Sequence, residues 1–213
     1  MNGKTSSTRQ EFLQELDKQL KRKLGRTEAP RIMAFAQRFL AYLPMEEILQ
    51  RRFADVYGAV LTGWQFLQRR LPQDAPIRAF NPALEEDGWQ STHTVIFMIH
   101  PNIPFLIDSL RMAINQRELN LHSVHYALLP VERDSQGQLQ QLHTDEAAEA
   151  ECDLEAFIVL EVDRHSDPKD LQELQDVLAS VLTEVRSAVE DFPHMREKAQ
   201  AVLTGTACAV DCP

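Results

Sequence analysis

The sequence predicts an α+β protein: an N-terminal helical subdomain, then an α/β sandwich with two helices on one face of a mainly antiparallel sheet. Three observations predict it. Apolar residues recur at helical spacing through the first 72 residues. Two apolar runs read as strands: Val95 to Ile99 is continuous, as expected of a strand covered on both faces, and Ala156 to Val162 is apolar but for Glu161. The order from Thr92 onward is strand, helix, strand, strand, strand, helix. The expected division is 1–76 for the helices, 77–196 for the sandwich and 197–213 for an irregular tail.

The first helix is expected from Arg9 to Leu24, with Phe12, Leu13, Leu16, Leu20 and Leu24 on one face. Gly25 stops it, and Lys21, Arg22 and Lys23 in its last turn suit the helix dipole. A second helix runs from Pro30 to Leu43, where Pro44 ends it. A short helical turn, Met45 to Gln50, leads to a third helix from Phe53 to Arg70. Gly58 and Gly63 inside that helix each cost about 1 kcal/mol relative to alanine. They mark either a close-packed neighbour or a tolerated defect. Trp64 and Phe66 read as core packing, in preference to an aromatic ligand shelf. Pro72, Asp74 and Pro76 then form a linker.

In the second part, the strand at Val95 to Ile99 meets the turn Pro101-Asn102-Ile103-Pro104 and an amphipathic helix. Pro104 suits the first turn of that helix, where its missing N–H costs nothing. Leu106, Ile107, Leu110, Ala113 and Ile114 fold the helix back onto its own strand. Asn120 ends it, and a strand runs through Val124, Tyr126, Leu128 and Val131. Asp134-Ser135-Gln136-Gly137 turns it into a hairpin with Leu139 to Leu142. His143 to Asp153 is acidic and alanine-rich, a mobile loop or a poor helix. The last helix has Asp167 as N-cap, Pro168 at its first position and an apolar stripe from Leu171 to Val189. It is expected to reach Phe192-Pro193, with a helical continuation over Asp191 to Lys198. Beyond Gly205 there is no periodic pattern, and the chain end reads as a fragment's end or an unusual tail. Two helices on one face of such a sheet make a ferredoxin-like sandwich.

A formal net charge of −10 argues against a nucleic-acid or anionic-membrane surface. No apolar run approaches the roughly 20 residues that span a bilayer, and Met1 to Gln10 lacks the apolar core of a signal peptide. Cys152, Cys208 and Cys212 are an odd, sparse set, which points to a reducing cytoplasm.

Signatures of catalysis are missing from the sequence. It has no glycine-rich dinucleotide or phosphate loop, no paired-histidine metalloprotease motif and no nucleophile elbow. His122 and His125, three apart on a strand, face opposite sides and do not suit one metal ion. Cys208 and Cys212 lack a second ligand pair, and Cys152 lacks the basic neighbours of a reactive thiolate. Asp163, Arg164 and His165 read as an ion pair or cap at a strand–helix junction. No metal site and no catalytic residue is therefore assigned. The one candidate ligand site is the turn: His100, Asn102, Ile103, Pro104 and Phe105, with Asp108 and Ser109 at its flank. Backbone amides at a helix N-terminus favour an anion such as the carboxylate of an amino acid. The alternative is a plain structural turn.

Several stretches resemble the large bacterial NAD-specific glutamate dehydrogenases. They are Tyr57-Gly58-Ala59 through Trp64, Phe80-Asn81-Pro82, Trp89-Gln90-Ser91-Thr92-His93-Thr94-Val95, Pro104-Phe105-Leu106-Ile107-Asp108-Ser109 and Ile158-Val159-Leu160-Glu161-Val162-Asp163-Arg164. The resemblance covers roughly Ala29 to Arg196, in order. It implies the N-terminal region of such an enzyme, a helical lead-in and a first ACT-like module. It also implies that the parent oxidatively deaminates L-glutamate to 2-oxoglutarate and ammonium with NAD. The family's dinucleotide-binding and catalytic domains lie far downstream, so no cofactor and no catalytic residue carries over to these residues. ACT modules bind amino acids at the first strand–helix turn, commonly Asp-x-Pro-Gly, and pair through sheet edges or helices. Here Asn102-Ile103-Pro104-Phe105 stands at that place, with Phe105 where the glycine belongs. The departure favours a scaffolding role, with self-association or downstream domains of the same enzyme as partners and an amino acid as possible effector.

Overall fold

In the computed structural model, residues 2–41, 43–144 and 152–210 are described, the side chains of 2–7 and 203–210 excepted. The two apolar runs lie side by side. Strand β2 (Thr94–Pro101) pairs antiparallel with β5 (Asp153–Val162), from Thr94 opposite Val162 to Pro101 opposite Glu155. β5 also pairs antiparallel with β3 (Leu121–Arg133), which forms the predicted hairpin with β4 (Leu139–Leu142). β2 and β3 therefore run parallel with β5 between them, a split βαβ unit whose crossover is helix α4 (Leu106–Gln116).

A fifth strand was missed in the sequence. β1 (Ile77–Phe80) pairs antiparallel with β2, from Ile77 opposite Met98 to Phe80 opposite Val95, so the sheet order is β1-β2-β5-β3-β4. Ile-Arg-Ala-Phe, set between Pro76 and Asn81-Pro82, is too short to show a period.

Side-chain alternation divides the sheet into two faces. Ile96, Met98, Ile158 and Leu160 pack with Leu106, Leu110 and Ile114 of α4 and with Leu174, Leu178 and Leu182 of α5 (Pro168–Val210). These are the two predicted helices on one face. Val95, Phe97, Ile99, Phe157 and Val159 face the other way and join one cluster with the N-terminal helices. Those helices are α1 (Asn2–Ala41), α2 (Met45–Gln50) and α3 (Phe53–Leu67). The sheet thus lies between two helical layers, which explains why its central strands are apolar throughout.

Gly25 interrupts α1 as expected, with φ 81° and ψ −173°. α3 stops at Leu67, three residues before the predicted end. There the chain turns to meet the hairpin: Arg69 bridges Gln138, and the Arg70 amide donates to the Gly137 carbonyl at 2.9 Å. α5 departs most from expectation. It holds Pro193 and continues to Val210, so residues 197–210 are helical and not an irregular tail. Residues 190–202 are exposed throughout, so no burial pattern was needed to make them helical. Met195 to Ala201 contains arginine, glutamate, lysine, glutamine and alanine, all good helix formers. Most of the acidic connection (145–151), the side chain of Cys208, and Cys212 lie outside the described residues. No helix among the described residues is long and apolar enough to cross a membrane.

Candidate functional site

The turn after β2 is built by continuing the ladder and then reversing the chain. The Asn102 amide donates to the Leu154 carbonyl at 2.8 Å, and the Tyr126 hydroxyl donates to Asn102 Oδ1. Ile103 packs against the α4–α5 side of the sheet, while Pro104 and Asp108 are exposed. Phe105 is the N-cap of α4, in the left-handed region at φ 67°, with its ring 69% exposed and no side-chain cap bond. Its carbonyl accepts the Ser109 amide at 3.0 Å. His100 is buried just before the turn, with Nδ1 2.8 Å from the Pro101 carbonyl. Burial pushes its pKa below 6.5; the Pro101 carbonyl opposes this, while Arg186 and Arg70 add to it. The structure thus brings His100, Asn102, Ile103, Pro104 and Phe105 into one turn. His100 points into the protein, whereas Phe105 and Asp108 face solvent.

The opposite end of β2 holds a charged network that the sequence did not reveal. Arg51, between α2 and α3, grips the buried Glu161 with two bonds of 2.6 and 2.9 Å and reaches Glu47 at 3.2 Å. Desolvation opposes the charge of Arg51, but Glu161 and Glu47 outweigh it and raise its pKa. Glu47 Oε1 also lies 3.2 Å from His125 Nε2, and Ser123 Oγ bridges the two. Burial drives the His125 pKa down, against the pull of Glu47 and Glu161. His93 lies 3.7 Å from Glu161 and packs against His122 with the rings tilted by 36°, centroids 4.2 Å apart. His122 in turn binds Asp163 at 2.7 Å, which with Asn120 holds that carboxylate's pKa down. His122 and His125 have separate partners, Asp163 and Glu47, but they do not face opposite sides as the spacing predicts. The irregularity between Leu121 and Ser123 brings His122 beside His93 in the same network. Asp163, Arg164 and His165 diverge, toward His122, the Ser91 carbonyl and Asp170 respectively. An open cleft of about 980 Å³ lies over the network, lined by Arg51, Arg52, Asp55, His93, Glu161 and Arg164 among others.

A second buried carboxylate stands at the turn end of β5. Glu155 Oε1 accepts from Arg70 Nε at 2.7 Å and Arg133 Nε at 2.8 Å, and Oε2 accepts from Arg133 Nη2 at 2.7 Å. The remaining guanidinium donors reach the carbonyls of Leu67, Leu71, Pro72, Asp74 and Gly137. One signal could have found both carboxylates: a glutamate at either end of a run covered on both faces needs a cation beside it. The buried carboxylates Glu155 and Glu161 are neutralised by Arg70, Arg133 and Arg51, and the pairs made by Arg70 and Arg51 tie the N-terminal helical layer to the sheet. Trp64 and Phe66 serve the core, Trp64 against Phe35 and Phe66 against Phe97 and Phe157.

Comparison with known proteins gives these features a family. A model described as "Glutamate dehydrogenase, ACT1 domain" matches residues 35–178, from the second arm of α1 into α5. The chain is similar to an NAD-specific glutamate dehydrogenase of Halomonas elongata, 42% identical over 195 residues, which are 92% of this chain and 12% of the relative. It is also similar to an NAD-specific glutamate dehydrogenase of Pseudomonas aeruginosa, 34% identical over 200 residues, 94% of this chain and 12% of the relative. The chain thus spans about 12% of the length of these curated relatives. No solved structure matches it.

Proposed function

Because the chain belongs to the glutamate dehydrogenase ACT1 domain family, we propose that it is a non-catalytic regulatory and assembly module of a large NAD-dependent glutamate dehydrogenase. The parent reaction converts L-glutamate, NAD and water to 2-oxoglutarate, ammonium and NADH, with NAD held by other parts of that enzyme. The module makes contacts, with a second copy or with other domains of its own enzyme, in the cytoplasm.

The observation that carries this reading is Phe105. At the turn where ACT modules hold their ligand, its aromatic ring points into solvent from a glycine-like backbone position. An exposed aromatic on a rigid turn suits a contact surface. Met112, 61% exposed on the same helix, supports the assignment. The sheet edges are less available. Gln175 of α5 accepts the Ala79 amide on β1, and Arg31 of α1 donates to the Leu139 and Gln140 carbonyls on β4.

Two measurements test the proposal. The purified chain, given glutamate and NAD, should form no NADH; turnover would overturn the non-catalytic assignment. In the full-length parent, Phe105→Ser with Met112→Ser should lower the assembly state in sedimentation velocity, and unchanged assembly would count against the contact role. The second reading, an amino-acid sensor at Asn102 to Phe105, is favoured by the α4 N-terminus, which no side chain caps. Calorimetry against the twenty amino acids decides it, and saturable heat abolished by a change at Asn102 would favour the sensor.

A further inference from the structure

Three strands bring together side chains that the sequence keeps well apart. Val131 of β3 pairs with Asp153 of β5, so one step on Glu132 comes opposite Cys152. On its other side Glu132 pairs with Gln141 of β4, and His143 follows two residues later on the same face. The His143 amide donates to the Pro130 carbonyl at 3.0 Å and extends the ladder to that point. One ligand atom from each of Glu132, His143 and Cys152 lies within 4.8 Å of the others. We propose that these three residues form a site for a divalent metal ion of the zinc class.

The donor set suits that class. Carboxylate, imidazole and thiolate are the usual ligands of zinc, and three protein ligands leave a fourth position for water. Around a tetrahedral zinc the donor atoms stand about 3.3–3.6 Å apart. His143 Nε2 and Glu132 Oε1 are 2.7 Å apart as a hydrogen-bonded pair, so admitting the ion needs only a small side-chain rotation. Gln141 lies 3.3 Å from His143 Nδ1. With its amide turned, Gln141 accepts the Nδ1 proton and leaves Nε2 for the metal, as outer partners of metal-bound histidines do. Coordination moves the imidazole proton from Nε2 to Nδ1, and the Cys152 thiol releases its proton to solvent. The ion itself stabilises the thiolate, so no basic neighbour is needed. His143 and Cys152 flank the acidic connection, so the metal would tie its two ends to β3.

The test is a titration of the metal-free chain with zinc against a chromophoric chelator, repeated with cobalt as an optical probe. The expected result is one ion per chain and a thiolate-to-cobalt charge-transfer band. Cys152→Ser should abolish the band, and Glu132→Gln or His143→Gln should weaken zinc binding roughly tenfold or more. The Cys208→Ser/Cys212→Ser double variant should bind as the parent does, and circular dichroism checks that each variant is folded. In the unmutated chain, zinc should slow alkylation of Cys152, read by peptide mapping. Absence of stoichiometric binding, a band that survives Cys152→Ser, or a band lost in the double variant would each overturn the site.

Discussion

Arg70 Nε donates to Glu155 Oε1 at 2.7 Å, tying the chain just beyond α3 to the central strand β5. At the other end of α3, Arg51 makes the matching pair with Glu161. Six residues of strand span about 20 Å, and the fifteen residues of α3 span about 22 Å. The helix therefore crosses the face of β2 and β5 with an ion pair to β5 near either end, and Phe66 of α3 packs on Phe97 and Phe157 between them. Removing the Glu155 carboxylate leaves two arginines, each 9% exposed, without their counter-charge. Glu155→Ala should cost about 3–5 kcal/mol in urea unfolding. Arg51 is 30% exposed, so solvent screens its pair, and Arg51→Ala should cost clearly less. Equal costs would show that burial does not set the strength of these clamps.

The buried histidines make stability depend on pH. His100 and His125 both have folded pKa values below 6.5, burial being the largest cause for each. Below 6.5 the unfolded chain takes up protons that the folded one resists, so unfolding is favoured. The stability is complete above 6.5 and is lost as pH falls through the folded values. Unfolding free energy measured from pH about 7 to about 5 should fall, and His100→Gln should flatten the profile. A slope unchanged by His100→Gln would assign the whole effect to other groups.

Phe105 holds a left-handed conformation that costs a non-glycine residue about 1–2 kcal/mol. Its ring is largely exposed, so little burial is lost on replacing it. Phe105→Gly should therefore stabilise the chain by about 1 kcal/mol, after the larger backbone entropy of glycine is subtracted. If the ring is a contact, the same variant should weaken self-association. A higher urea midpoint with a lower association constant would separate the two effects in one protein.

What the sequence could reveal followed from how local each signal is. Gly25 and Pro168 act on their own neighbours and stand where expected. A turn does follow β2, but Pro104 precedes the N-cap Phe105 and so lies outside the first turn of α4, which begins at Leu106. The apolar run of β2 required cover on both faces. It did not say that α1 to α3 supply one of the covers, because those contacts are long-range, from Phe66 with Phe97 to Phe35 with Phe157. β1 had too few residues for a period, and exposed α5 carried no core stripe past Val189. At the turn, Phe105 in the glycine position was legible, and the structure adds that its backbone keeps the glycine-like angle. The clamps at Glu155 and Glu161 depend on arginines 85 and 110 positions away, which no spacing rule connects.

The two glycines of α3 differ in what surrounds them. A Cβ on Gly58 would lie 2.5 Å from Cβ and 2.7 Å from ring atoms of Trp89. Trp89 is held there: its Nε1 donates to Thr62 Oγ1 at 3.0 Å, and Thr62 donates to the Gly58 carbonyl at 3.0 Å. The base of a pinned indole cannot move aside as the tip of a flexible chain does. Gly58→Ala should therefore cost about 1–3 kcal/mol from overpacking, despite the gain of about 1 kcal/mol in helix propensity. At Gly63 the nearest atom is Phe35 Cζ at 3.0 Å, the far end of a ring. Gly63→Ala should be close to neutral, the same propensity gain offsetting a small shift of Phe35. Urea unfolding ranks the pair, and Trp89 emission should change with Gly58→Ala alone. Equal costs at the two positions would mean that Trp89 does not need its notch.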